Sequence, residues 1–377
     1  MSERERPTEV LQPHSSVAII SMGQTGSYFA HEILLHSGVP VHGVVRALPE
    51  QRPRHIDESV MLSDSLTDVL GNDQPPELII VATPIHKTQE VLTSLADANY
   101  NEPVTVLLTQ NGVGIGDKAI DTLQGHDNFR IVRGSLFASV SFDPAGRLRY
   151  DRDHRRIAFA PVVISEQDPD EVYEETLRVQ RFFDALGHET HVVEDDIAME
   201  WTKLLGNSFG RSMVIYGGIP SEVLNDPTLY QLEVESFLAR ANAMHKAGIP
   251  IVRFPWLNLR SMERKLRLTR IATIDRRSPF GRWVRNKAAE TYIRGRGDVP
   301  PAAARKLDDE GILDPEIPEY AGPFVELAQR HGCPVPVLDF EMLKFYYQHE
   351  GTGPIQPQYG LMLEDVLPED PYPDSAE

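Results

Sequence analysis

The stretch from Val17 to Gly26, VAIISMGQTG, constrains this chain more than any other ten residues. A short apolar run, VAIIS, leads directly into a turn with glycines at 23 and 26, and a helical pattern then runs from Thr25 to Ser37. A buried strand, a tight glycine turn and a helix in immediate succession open a βαβ unit, whose helix start presents free backbone N–H groups and a positive field to an anion. The dinucleotide fingerprint places G-x-G-x-x-G in this slot. Here the three positions are Ser21, Gly23 and Gly26, so the first glycine is missing. Gly23 would let the backbone approach a pyrophosphate, and Gly26 would let helix and strand pack closely. Gln24 and Thr25, between the glycines, are also taken as cofactor contacts. Serine fits the first turn provided its φ stays negative. A glycine turn without a ligand is the competing reading.

The rest of the first half repeats the alternation. Strands are expected at His42 to Arg46, Leu78 to Thr83, Val104 to Leu108 and Phe129 to Gly134, with a helix over Thr88 to Ala98. Strands alternating with helices predict a parallel sheet. Short strand-like pieces, SVSF and RIAFAP, then lead to a helix over Pro169 to Leu186 and a strand at His191 to Val193. After Glu194 the chain reads as helical, with stops at Gly217-Gly218 and Gly248-Ile249-Pro250. The predicted fold class is α/β, a Rossmann-type parallel-sheet domain over 16–194 followed by an all-helical domain over 195–350. Residues 1–15 read as a disordered leader and 351–377 as an acidic tail.

Composition narrows the class of partner. The net charge is −19, which disfavours nucleic acid or an anionic membrane as the main partner. No apolar run is long enough for a membrane helix. A lone cysteine, Cys333, offers neither a disulfide nor a metal cluster, so a cytoplasmic setting is expected and no metal site is read. The charge is uneven, however: 13 Lys/Arg stand between Arg253 and Arg296 against Glu263, Asp275 and Glu290.

Two further places suggest chemistry. Arg46 stands at the end of the second strand, about 20 residues after the glycine turn, where an NAD enzyme carries an acid for the ribose hydroxyls and a 2′-phosphate needs a cation. Arg46, with Arg52 and Arg54 following, therefore points to NADP(H); a solvated loop arginine is the alternative. Farther on, EWTKLLGNSFGRSMVIYGG over 200–218 predicts one buried helix with Lys203, Asn207 and Arg211 at i, i+4 and i+8 on a single stripe. Lysine and asparagine on an apolar helix need partners or a ligand. A solvated polar stripe is the plainer reading.

These elements together make the chain similar to the ketopantoate reductase (2-dehydropantoate 2-reductase) family of the 6-phosphogluconate dehydrogenase-like superfamily. The resemblance runs from about Val17 to Tyr347. It rests on SMGQTG, Arg46, HKTQ at His86 to Gln89, TQNGVG at Thr109 to Gly114, WTKLLGN at Trp201 to Asn207, and EIPEYAG at Glu316 to Gly322. It implies an oxidoreductase that reduces a 2-oxo acid with NADPH. Lys203 matches the lysine that protonates or polarises the ketone oxygen, and Glu316 a glutamate near the substrate hydroxyl and the lysine, so the resemblance implies that both are catalytic. Asn111 matches an asparagine contacting nicotinamide and substrate, and Asn207 a substrate-binding asparagine. The family lysine of K-x-x-Q falls on His86, or on Lys87 with a one-residue slip, both taken as cofactor contacts.

The departures concern substrate. Arg211 stands where a second asparagine is expected, and Ala304 where a serine is expected. A guanidinium at 211 could pair with a substrate carboxylate. Another 2-oxo acid, or a related carbonyl compound, is therefore at least as well supported as ketopantoate, and a link to pantothenate biosynthesis stays open. Two other functions also remain open: a hydroxy-acid or opine-type dehydrogenase, and a non-catalytic NADP-binding sensor. The basic segment over 253–300 has no family counterpart. It reads as an added amphipathic helix that is a solvated face, a self-association surface, a contact for an anionic partner, or a contact for the protein's own acidic parts. A homodimer is left open.

Overall fold

The computed structural model describes residues 16–349 apart from 99, 144, 151–152, 165–166, 275–277, 297, 299, 302, 305–306 and 308–312. The expected leader at 1–15 and acidic tail at 351–377 lie outside the described residues. The chain packs as two compact units. One runs to Lys203 and includes Phe254–Leu257; the other comprises Leu204–Arg253 and the chain from Asn258 onward.

The first unit is built on an eight-stranded sheet. Its strands are β1 (Ser16–Ile20), β2 (Val41–Val44), β3 (Met61–Ser63), β4 (Pro76–Val81), β5 (Val104–Leu108), β6 (Phe129–Leu136), β9 (Arg156–Val162) and β10 (Glu189–Val192). Their order is β10-β9-β6-β5-β4-β1-β2-β3. Every pairing is parallel except β6 with β9. A hairpin of β7 (Val140–Phe142) and β8 (Leu148–Tyr150) lies apart. From β1 the chain winds outward through β2 and β3, then returns to β4 on the other side of β1. That reversal makes the carboxyl ends of β1 and β4 the topological switch point, where ligands bind in open α/β sheets.

Alternation along β1 shows how both faces are used. Val17 and Ile19 join a cluster with Tyr28 and Phe29 of α1 (Gln24–His36) and Phe182 and Phe183 of α5 (Pro169–Ala185). Ala18 and Ile20 join the opposite cluster, with Val69 of α2 (Leu66–Leu70), Leu92 and Leu95 of α3 (Thr88–Asp97), and Ile115 and Ala119 of α4 (Ile115–Leu123). Each fully buried side chain of this size contributes roughly 1.5–3 kcal/mol. A strand covered on both faces reads as a continuous apolar run, which is why the sequence shows β1, β4 and β5 so directly.

A polar knot sits in the first of these layers. Glu32 of α1 is wholly buried, accepting from Tyr150 Oη at 2.7 Å and Arg155 Nη1 at 2.6 Å. His188 lies 2.8 Å from Tyr28 Oη, and burial pushes its imidazole down to about 4, so the ring is neutral at pH 7.

The second unit is helical. Its elements are α7 (Ser212–Tyr216), α8 (Pro220–Val223), α9 (Pro227–Lys246), α10 (Leu259–Ile274), α11 (Pro279–Arg296), α12 (Ile317–Arg330) and α13 (Val337–His349). Asp226 starts α9, accepting from the N–H groups of Thr228 and Leu229 ahead of Pro227 at the first turn. Asp339 of α13 is buried between two cations, Arg211 and Arg240, with Arg240 Nε at 2.5 Å. Burial holds both guanidinium groups below their ordinary range, Arg240 at about 10. The basic segment forms two helices, α10 and α11, rather than one. Part of its charge meets the protein's own carboxylates: Arg267 pairs with Glu263 at 2.8 Å and Arg270 with Glu235 at 2.7 Å.

One helix carries a correction. The single helix expected over 200–218 is two: α6 (Asp196–Asn207) stops, a turn intervenes, and α7 begins at Ser212. Gly210 has φ 97°, and Glu233 of α9 accepts from the N–H groups of Gly210 at 2.9 Å and Ser212 at 2.7 Å. The carboxylate thus stabilises free amides that a continuous helix would have used internally. Arg211 lies in that turn and is off the Lys203–Asn207 stripe.

Candidate active site

The candidate cofactor residues collect at the carboxyl ends of the parallel strands. After β1, Ser21 N donates to Val44 O at 2.9 Å, and Ser21 itself adopts φ 77°. The negative φ expected for it is therefore wrong. Serine occupies the left-handed conformation that glycine usually supplies, at a cost of about 1–2 kcal/mol. The reason lies at Gly26, where an added Cβ would fall 1.9 Å from Ser21 O, so turn and helix close on one another too tightly for any side chain. Gly23 is exposed, and a Cβ there would have Ser21 Oγ at 3.8 Å as its nearest atom. The turn is thus tight toward the sheet and open above it, with exposed Gln24 and half-buried Thr25 beginning α1. That shape suits a pyrophosphate over the helix N-terminus.

Arg46 is exposed just past the end of β2. Arg52, expected as its possible companion, instead staples its own loop through the carbonyls of Asp57 at 2.7 Å and Val60 at 3.0 Å. Arg54 is exposed. After β4, His86 and Lys87 form a short 3-10 turn; His86 is exposed, while Lys87 pairs with Glu90 at 2.9 Å. After β5, Asn111 is exposed on a loop that Thr109 anchors to Val81 O at 2.8 Å. Gly112 in that loop has φ 114°, and a Cβ there would meet Ile85 Cδ1 at 2.2 Å.

Lys203 lies at 6% exposure on α6. Its ammonium sits 3.8 Å from the Phe137 ring centroid and donates to Leu136 O at the end of β6. A cation on an aromatic face beside a carbonyl is stabilised as the charged form would require. Asn207, one turn later, is exposed.

Two residues that the sequence reading did not single out hold this arrangement together. Arg133 and Glu200 form an ion pair at 2.5 Å with both side chains 2% exposed. Arg133 also donates to the carbonyls of Leu108, Gly134 and Gln110, while Glu200 Oε2 accepts from Gly114 N at 2.7 Å. The pair therefore ties the Asn111 loop, the end of β5 and the turn of α6 that precedes Lys203. This is why α6 packs with the sheet unit as far as Lys203 although its sequence reads as part of the helical domain. Burial and the neighbouring Glu200 push Asp196 up to about 6, against the pull of Arg133. The available signal was an arginine inside the apolar run FRIVRG, which demands a buried partner.

Glu316 and Arg211 belong to the helical unit. Glu316 precedes α12, half-buried, and its carboxylate accepts from Tyr320 Oη. Arg211 is 5% exposed, with its guanidinium on Asp339 and on Tyr320 O at 2.8 Å. The role expected for it, pairing with a substrate carboxylate, gives way here to a buried ion pair inside the fold. Ala304 is buried, at 2% exposure.

The open sheet with a glycine turn at its switch point is a Rossmann-type fold. Within that class, residues 17–162 match the model of the ketopantoate reductase PanE/ApbA family. No curated protein matches the chain. Several solved structures share the fold across both units. A PanE/ApbA family ketopantoate reductase from Ralstonia eutropha JMP134 is 16% identical, with a TM-score of 0.64 over 89% of this chain and 99% of its own. A 2-dehydropantoate 2-reductase from Geobacter metallireducens GS-15 is 17% identical, with a TM-score of 0.64 over 88% and 99%. A D-mandelate dehydrogenase solved with NADH and anilino(oxo)acetate is 15% identical, with a TM-score of 0.63 over 90% and 100%. Among the described residues no helix is long and apolar enough to cross a membrane.

Proposed function

We propose that this chain is an NADPH-dependent oxidoreductase that reduces a 2-oxo acid to the 2-hydroxy acid, with Lys203 as proton donor. The observation that carries the reading is the buried Lys203 ammonium, held on Phe137 and Leu136 O in the same unit as the glycine turn. Ketone reduction develops alkoxide charge, which a fixed cation stabilises and then protonates. Ser21, Gly23, Gln24, Thr25 and Gly26 would hold the pyrophosphate, Arg46 the 2′-phosphate, and His86, Lys87 and Asn111 the remainder of the dinucleotide. Bound there, NADPH supplies the hydride. Asn207 and Glu316 are assigned to the substrate, on the family resemblance.

The choice of NADPH over NADH rests on Arg46 standing where an NAD enzyme carries a carboxylate. The D-mandelate dehydrogenase was solved with NADH, so binding is measured with both cofactors. The test is NADPH oxidation against a panel of 2-oxo acids, with Lys203→Ala assayed in parallel. The expected loss in kcat is about 10²- to 10⁴-fold, the usual contribution of a general acid, with NADPH affinity retained. A Lys203→Ala enzyme turning over like the wild type would refute the assignment. Wild-type protein that binds NADPH and reduces nothing would favour a sensor.

A further inference from the structure

Within the sheet unit, Lys203 stands at the edge of an aromatic cluster that the chemistry proposed above does not use. The Phe137 ring beneath the ammonium meets Phe254 edge-on at 4.9 Å and Trp256 at 5.4 Å. Phe254 and Trp256 stack on each other with an interplanar angle of 8°, and His191 closes on both with its ring nearly perpendicular. Phe254 is wholly buried, whereas Phe137, Trp256 and His191 are half-buried, so the cluster has an anchored base and an accessible side. The Trp256 indole N–H is buried with no acceptor among the described residues. Native folds rarely leave such a donor unmatched without a functional reason. Phe254 and Trp256 come from Phe254–Leu257, the short segment that belongs to the sheet unit while its flanks belong to the helical unit.

Geometry gives this cluster a role. A ketone oxygen taking a proton from Lys203 must come within about 2.6–3.2 Å of Nζ. The substituent on the same carbon then begins within a bond or two of that point, and Phe137 is centred 3.8 Å from Nζ. A substituent at that carbon that turns toward the Phe137 side meets that ring, and beyond it Phe254 and Trp256. Faces and edges of three aromatic rings favour another aromatic ring, by stacking or edge contact, over a small or hydroxylated group.

We propose that Phe137, Phe254 and Trp256 form the wall that selects the substrate's substituent, and that the preferred substrate is a 2-oxo acid carrying an aryl or arylmethyl group. The proposal rests on the reductase reading of Lys203 and narrows it to a substrate class.

The experiment compares phenylglyoxylate and phenylpyruvate with pyruvate and ketopantoate on the full-length chain. The readout is the ratio of aryl to small-substrate kcat/KM. A hydrophobic contact of one group's size discriminates about 10- to 200-fold, so a ratio above tenfold is expected. It should collapse in Trp256→Ala and Phe137→Ala and survive in Trp256→Phe, which keeps an aromatic face. Ketopantoate or pyruvate as the best substrate, or a ratio untouched by both alanine variants, overturns the proposal. If no 2-oxo acid is reduced, titration of the tryptophan fluorescence with phenylglyoxylate decides separately. Aryl-selective quenching that Phe137→Ala abolishes supports the aromatic wall while the reductase reading falls. Quenching no stronger than with pyruvate overturns the wall as well.

Discussion

Replacing Glu200 with alanine should cost far more than its place on a helix surface would suggest. Glu200 and Arg133 are each 2% exposed and pair at 2.5 Å, so the alanine leaves a guanidinium buried without its counter-charge. Breaking one side of a buried pair costs about 3–5 kcal/mol, because the remaining charge is not resolvated. Gly114 N, a part-buried amide, loses its acceptor at the same time. The two losses overlap, so a destabilisation of about 3–5 kcal/mol is expected by urea unfolding. Asp196 offers partial relief. It is held at about 6 partly by Glu200, so removing Glu200 lets it ionise more readily near Arg133. Glu200→Ala combined with Asp196→Asn should therefore be less stable than the sum of the single changes. Glu200→Gln keeps an acceptor oxygen and should lose less. Hydrogen exchange over the loop at 109–114 should rise in the alanine variant. A stability loss under about 1 kcal/mol with unchanged exchange there would refute the claim that this pair joins the loop to α6.

Arg46→Ala should weaken NADPH binding while leaving NADH nearly untouched, read by fluorescence titration of each cofactor; equal wild-type affinities would remove the basis for the assignment. His188 has a folded value near 4 against an ordinary 6.5, so protonation favours the unfolded chain. Its contribution is complete above pH 6.5 and declines toward pH 4, amounting to as much as about 3 kcal/mol. Urea midpoints of wild type and His188→Gln should therefore converge as the pH falls through that window, and parallel curves would contradict the assignment. Ser21→Gly relieves a left-handed serine and should raise stability by about 1 kcal/mol, provided the turn is unchanged; a lower urea midpoint would mean that the hydroxyl contributes more than the strain removes.

Much of the sheet was legible because its central strands are buried on both faces. VAIIS, LIIVAT and VTVLL could be nothing shorter-lived than core strands, and the structure places them within two residues of their expected bounds. The three-residue edge strand β3 escaped notice, since Met61 is exposed and the segment carries no alternation to read. The glycine turn was recognisable without its first glycine, though its backbone was not: φ at Ser21 is imposed by Gly26 and by the helix closing over it. The failures share a cause. Arg211 looked like a third polar residue on a helical stripe, but Glu233 ends that helix from 21 residues away and Asp339 claims the guanidinium from 128 away. Arg133 and Glu200 are separated by 67 residues. Local periodicity reports which residues share a face. It is silent on which distant charge they meet.

The four residues Phe254–Leu257 have a practical consequence for anyone dissecting this protein. A gene fragment ending at Lys203 encodes the whole sheet but omits the side chain of Phe254, which is wholly buried in the intact chain. Such a fragment would expose the rings of Phe137 and His191 to water and invite aggregation at that spot. Modular shuffling, in which a nucleotide-binding half is exchanged between relatives at one junction, would leave the tetrapeptide behind on the wrong parent. The functional boundary is a list of segments rather than a cut site, and a chimera that respects it must transplant Phe254–Leu257 together with the sheet.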